Sequence, residues 1–175
     1  RWLNSKTLAN AVLHIRYSEM TPAILRVDAV HDAWRIAKVG LQSGSSKGLD
    51  FSLPIQGIAD GCYRLAISLV DSAGNDVQDS LKICLDGTAP QNARVTSPAV
   101  SYSVSFEMSW NGDGKGSDLN GSGLSGEYDI RMRIDNGPWN SWLERTRQLS
   151  SRYIGMQSHT YSFEAAAWDN VGNRE

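Results

Sequence analysis

The sequence predicts an all-β chain built as two tandem β-sandwich domains. Three observations predict it. Helical periodicity is nearly missing. Short runs of β-branched and aromatic residues alternate with polar ones between clusters of Gly, Asn, Asp, Ser and Pro, as half-buried strands do. One strand-and-turn unit occurs twice. A length of 175 residues leaves room for one large domain or two small ones, so the repeat decides the number.

In the first half, strands are expected around Ala11–Tyr17, Ile24–Val30, Trp34–Val39 and Leu49–Ile55. The clearest run follows. Tyr63, Leu65, Ile67 and Leu69 fall on one face, and Arg64, Ala66 and Ser68 fall on the other. The residues Ser72-Ala73-Gly74-Asn75 tolerate positive φ and supply a turn. The chain then returns through Leu81, Ile83 and Leu85, again alternating, which makes a hairpin with one buried face. In the second half, strands are expected near Ala93–Thr96, Val104–Trp110, Tyr128–Ile134, Ser141–Arg145 and Arg152–Ile154.

Tyr161 to Asn173 repeats the earlier strand and turn. Tyr63 and Tyr161 stand 98 residues apart, and Asp71 with Asp169, Gly74 with Gly172 and Asn75 with Asn173 keep that spacing without a gap. Gly57 and Gly155 share it as well. A period of about 100 residues suits one immunoglobulin-sized sandwich. The boundary is expected near Asp86-Gly-Thr-Ala-Pro90, giving domains 1–87 and 88–175. The first has little chain for an opening strand. The second ends two residues past its Gly-Asn turn and is expected to lack its last strand. Either that strand is cut away or another chain supplies it, since an open sheet edge is a template for strand addition.

The strand and turn, followed in the first copy by the Asp-Gly-Thr-Ala-Pro exit, resemble bacterial immunoglobulin-like and fibronectin type III-like repeats. In the second copy, Gly121-Ser-Gly-Leu124, Tyr128 and Gly137-Pro-Trp139-Asn-Ser-Trp142 are similar to a segment of the repeats on large bacterial exoproteins. The likeness covers the second copy and residues 49–90 best. It implies a spacer or interaction module of a secreted or cell-surface protein, with the neighbouring domains of a longer chain as first partners. Such folds host many functions, so the implication is by analogy.

Composition excludes some classes. A formal net charge of -2 gives no field that would attract nucleic acid, and no apolar run of about 18 residues exists to span a bilayer as a helix. The chain begins at Arg1 without a Met or a secretory pattern, so it is expected to be a processed or excised piece. No Ser–His–Asp order, phosphate-cradling Gly loop or nucleotide fingerprint is present, and the expectation is that it is not an enzyme.

Cys62 and Cys84 are the only cysteines. The hairpin register that sets Tyr63 opposite Ile83 also sets Cys62 opposite Cys84, on the outward face by alternation. That makes them a disulfide candidate, and an oxidised pair fits an extracellular compartment. His14, His31 and His159 stand singly, without the spacing of a zinc site. Asp71 and Asp169 open their turns. Each is read as a carboxylate holding backbone amides of the following loop, with calcium ligation as the alternative. Asp113 and Asp118, in the Gly-rich stretch from Asn111 to Gly121, are candidate calcium ligands, although Lys115 opposes a cation there. Otherwise no cofactor is expected.

Trp110 is expected in the core. Trp139, Trp142 and Trp168 are candidate platforms for a glycan or a protein partner, because flat aromatics stack on sugar rings and on partner surfaces. The preferred reading is a structural spacer, which predicts few exposed aromatics and no well-formed pocket. A binding module using these tryptophans is the alternative, and assembly by strand exchange is a third.

Overall fold

The computed structural model describes residues 1–18, 23–29, 34–41, 46–111, 118 and 121–175. Val30, His31, Asp113, Lys115 and Asn120 lie outside them. Among the described residues there is no helix. The chain divides into two compact units, Arg1–Gly87 and Thr88–Glu175.

In the first unit, β2 (Asn10–Ser18) pairs antiparallel with β5 (Ser46–Pro54). The facing sheet contains β1 (Trp2–Asn4), β3 (Ala23–Ala29), β4 (Trp34–Leu41), β6 (Gly61–Asp71) and β7 (Asp76–Asp86), in the order β1-β7-β6-β3-β4. Alternation decides what each sheet buries. Leu13, Ile15, Leu53 and Ile55 from one side meet Tyr63, Leu65, Ile83 and Leu85 from the other, and Ile67 and Leu69 pack at the margin. Each such side chain, taken fully from water, stabilises the unit by about 1.5–3 kcal/mol. Two sheets sharing one apolar layer make a sandwich.

β1 has no counterpart among the expected strands. Three residues carry no readable alternation. They become a strand because β7 offers them a parallel edge, with Trp2 beside Cys84 and Asn4 beside Asp86. The Cys84 amide donates to the Arg1 carbonyl at 2.8 Å, and the Ser5 amide donates to the Asp86 carbonyl at 3.3 Å. The Asn4 side chain then accepts the amides of Lys6 and Thr7, turning the chain out of the sheet.

The second unit has two three-stranded sheets. One runs β11-β10-β13, from β10 (Leu124–Ile134), β11 (Asn140–Thr146) and β13 (Tyr161–Asp169). The other runs β12-β9-β8, from β8 (Val95–Thr96), β9 (Ser105–Trp110) and β12 (Ser150–Ile154). Trp110, Tyr128, Ile130 and Ala167 form the centre of the layer between them. An aromatic belt of Phe106, Trp142, Tyr153, Tyr161 and Phe163 continues it, with ring centroids 5.1–6.5 Å apart. Tilted and edge-to-face contacts of this kind add to area burial. Among the described residues β13 is an end strand of its sheet, and Trp168 makes an isolated antiparallel bridge to Arg174.

Candidate functional site

The cysteines are joined. Cys62 and Cys84 face each other across β6 and β7 and form a disulfide, with Cα atoms 4.0 Å apart. The Cys84 amide is spent on β1, so the two residues are a non-hydrogen-bonded pair, the closer of the two antiparallel pairings. Both cysteines stand on the face opposite the layer of Tyr63, Leu65, Ile83 and Leu85, but they are not equally accessible. Cys62 is exposed, whereas Cys84 is buried, because β7 is not an edge strand and Trp2 of β1 stands beside it.

The two Asp turns are alike bond for bond. Asp71 Oδ1 accepts the amides of Ala73 and Asn75, and Asp169 Oδ1 accepts those of Val171 and Asn173, all at 2.8–2.9 Å. In both turns the Asn side chain donates to Oδ2, and the first Asp amide donates to the Asn carbonyl. Gly74 and Gly172 sit at φ of 89° and 90°, where a Cβ is strained. The Asn75 side chain, then its amide, hold Asp71 below the usual carboxylate range. Asp169 differs in being buried.

Asp118 is half-buried, and its carboxylate lies within 4.8 Å of that of Asp169. Its Oδ2 accepts the Gly123 amide at 2.6 Å. The Asp169 oxygens are engaged by the turn. Asp113, the other candidate calcium ligand, lies outside the described residues. His14 and His159 are exposed and apart: His14 meets Asp50 at 2.6 Å, and His159 meets Asp135 at 2.5 Å.

The structure brings two of the three candidate tryptophans together. Trp139 and Trp168 line a shallow depression of about 590 Å³ on the outer face of β10, β11 and β13, with Arg131, Glu144, Arg145 and Arg174. Trp142 points the other way. It packs edge-on against Trp110 and Tyr153 in the core. On the outer face the tryptophans have cationic neighbours. The Arg131 and Arg133 guanidinium carbons sit 4.9 and 4.7 Å from the Trp139 ring centre, and that of Arg145 sits 4.1 Å from Trp168. Carboxylates fix Arg131 and Arg145 in turn, and Arg147 and Arg174 beside them. Arg131 bonds Glu164, Arg145 and Arg147 meet Glu127, and Arg174 meets Asp129 at 2.6 Å. The Arg–Trp ladder was missed in the sequence. Its one sign was the Arg131-x-Arg133 alternation in β10.

One further likeness joins the units. The Tyr63 hydroxyl donates to the Ala59 carbonyl at 2.8 Å, and the Tyr161 hydroxyl accepts the Met156 amide at 2.6 Å. A tyrosine at the start of a strand, tied back to backbone a few residues upstream, is the tyrosine corner of immunoglobulin-like domains. Both units are immunoglobulin-like β-sandwiches.

No family model matches the chain, and no curated protein does. Among solved structures, the YadV chaperone aligns over 99% of this chain and 92% of its own, at 7% identity and a TM-score of 0.39. A segment of two fibronectin type III domains from chicken tenascin aligns over 97% and 93%, at 11% and 0.35. A tetra-tandem repeat from the extending region of a large adhesion protein aligns over 95% and 48%, at 14% and 0.35. These scores are too low to carry an argument about the immunoglobulin-like sandwiches, whose fold rests on their own sheets and corners.

Proposed function

We propose that the chain is a non-catalytic spacer of an extracellular or cell-surface protein, holding neighbouring domains of a longer polypeptide apart. The observation that carries this reading is the state of the tryptophans. Trp142 is spent in the core, and guanidinium groups lie over the rings of Trp139 and Trp168. A sugar stacking on those rings has to displace Arg131 from Trp139 and Arg145 from Trp168, cations already held by Glu164 and Glu127. The ladder serves instead to stiffen one sheet face, each cation–π contact adding about 0.5–1 kcal/mol where exposed. The disulfide supports the oxidising compartment.

The test is a glycan array and polysaccharide pull-down with the full chain and its Trp139→Ala and Trp168→Ala variants. The spacer reading expects no retention, and a lower melting temperature for both variants. Retention that both variants abolish would replace it with the glycan-binding alternative.

A further inference from the structure

We propose that Asn136, in the turn between β10 and β11, is a modification site whose side-chain amide converts to a carboxylate through a cyclic imide, and that opening of the turn gates the conversion. The chemical reason is the pair Asn136-Gly137. Ring closure needs the amide nitrogen of the next residue to reach the Asn side-chain carbon, and a glycine there puts no side chain in the way. The Gly137 amide nitrogen gives up its proton and bonds to Cγ of Asn136. The Cγ–Nδ2 bond breaks, and ammonia leaves. Water then opens the ring at either carbonyl and yields aspartate or isoaspartate.

The fold asks for this dipeptide. β10 and β11 stay paired as far as Met132 and Asn140, and the chain reverses between them. Asp135 and Asn136 both stand at positive φ, 49° and 59°. That is a mirror-image turn, whose twist suits a hairpin and which Asn tolerates better than most residues. A Cβ on Gly137 would stand 2.9 Å from the Ile134 carbonyl oxygen, too close to fit. Geometry selects Asn and Gly here, and their reactivity comes with them.

The same turn holds the reaction back. Asn136 is exposed, and among the described residues its side chain has no hydrogen-bond partner, so water and base reach it. The attacking nitrogen is engaged. The Gly137 amide donates to the Ile134 carbonyl at 2.7 Å, and the proton in that bond is the one that must leave. Asp135 clamps the tip to the residues leading into β13. Its amide donates to the Thr160 carbonyl at 2.9 Å, its Oδ1 accepts the Thr160 amide at 2.8 Å, and its Oδ2 meets His159. Conversion thus waits for local opening, which only a fraction of molecules shows at any moment. The isoaspartyl product lengthens the main chain by a methylene and disturbs the bond from Gly137 to Ile134. Either product adds a negative charge next to Asp135. The proposal is independent of the spacer reading, which survives its failure.

The experiment incubates the full chain and a free peptide of residues 131–140 in the same mildly alkaline buffer. Peptide mapping follows conversion at Asn136 and separates it from the Asn-Gly pairs that begin at Asn111 and Asn120. Asn136 is expected to convert in the folded chain at least about tenfold more slowly than in the peptide, because only the open fraction reacts. The ratio of the two rates should match, within about threefold, the open fraction read from hydrogen exchange of the Gly137 amide. Asp135→Ala, which removes the clamp, should quicken conversion and Gly137 exchange together, at least about threefold, while the Ile130 amide keeps its protection. Conversion that stays absent from both the folded chain and Asp135→Ala, long after the peptide is consumed, overturns the site. Conversion at the peptide's rate, or a rate unrelated to Gly137 exchange, overturns the gate.

Discussion

The Tyr161 ring lies so close over Gly155 that a Cβ on that glycine would stand 2.8 Å from Cε2 and Cζ. Nothing larger fits while the Tyr161 hydroxyl keeps the Met156 amide. The glycine shared by both repeats thus has a physical reason in the second: close approach of an aromatic ring, not backbone freedom.

Gly155→Ala is therefore expected to destabilise the second unit by about 1–3 kcal/mol, the usual cost of forcing an added group into packed surroundings. Tyr161→Phe removes only the hydrogen bond, so it should cost about 0.5–1.5 kcal/mol. Denaturant unfolding, followed separately for each unit by amide exchange, checks both. Equal costs would mean that the ring does not press on Gly155.

Reduction of the disulfide should act on the first unit alone. Cys62 and Cys84 are 22 residues apart in the chain, and a closed loop of that length removes about 3 kcal/mol of freedom from the unfolded state. Cys62→Ser with Cys84→Ser, or reductant, should lower the first unit's stability by about that much. The second unit, with its own core, should hold its midpoint.

Asp129 gives the second unit an acid limb. Burial works against its ionised form, but the Arg145 amide and the Arg174 guanidinium outweigh it and hold the carboxyl below its ordinary value. A depressed carboxylate contributes stability above its unfolded pKa, about 3.9, and loses it as pH falls through the lower folded value. The second unit's melting temperature should fall below about pH 4, and Asp129→Asn should flatten that fall. An unchanged slope in the variant would assign the acid sensitivity to other carboxylates.

Much of the fold was legible because strand signals are local. A period of two set the faces of β6 and β13, and the shared spacing of Tyr, Asp, Gly and Asn aligned the two hairpins. The opposed cysteines followed from one register. The rest depended on neighbours that the sequence does not place. β1 is a strand only because β7 offers an edge, and its presence buries Cys84. Trp139 and Trp142 stand three residues apart and look equivalent, yet one faces the Arg-bearing surface of β10 and the other the aromatic core. Which of them meets solvent depends on the second sheet, and β9 and β12 come from distant stretches of chain.

The parallel pairing of β1 with β7 has a mechanical consequence for the first unit. Its chain enters along one strand and leaves along the adjacent one, both pointing the same way. Tension between the two ends slides these strands past each other instead of peeling them apart. The bonds from Cys84 to Arg1 and from Ser5 to Asp86 are then strained together, so shear must break them at once and not in succession.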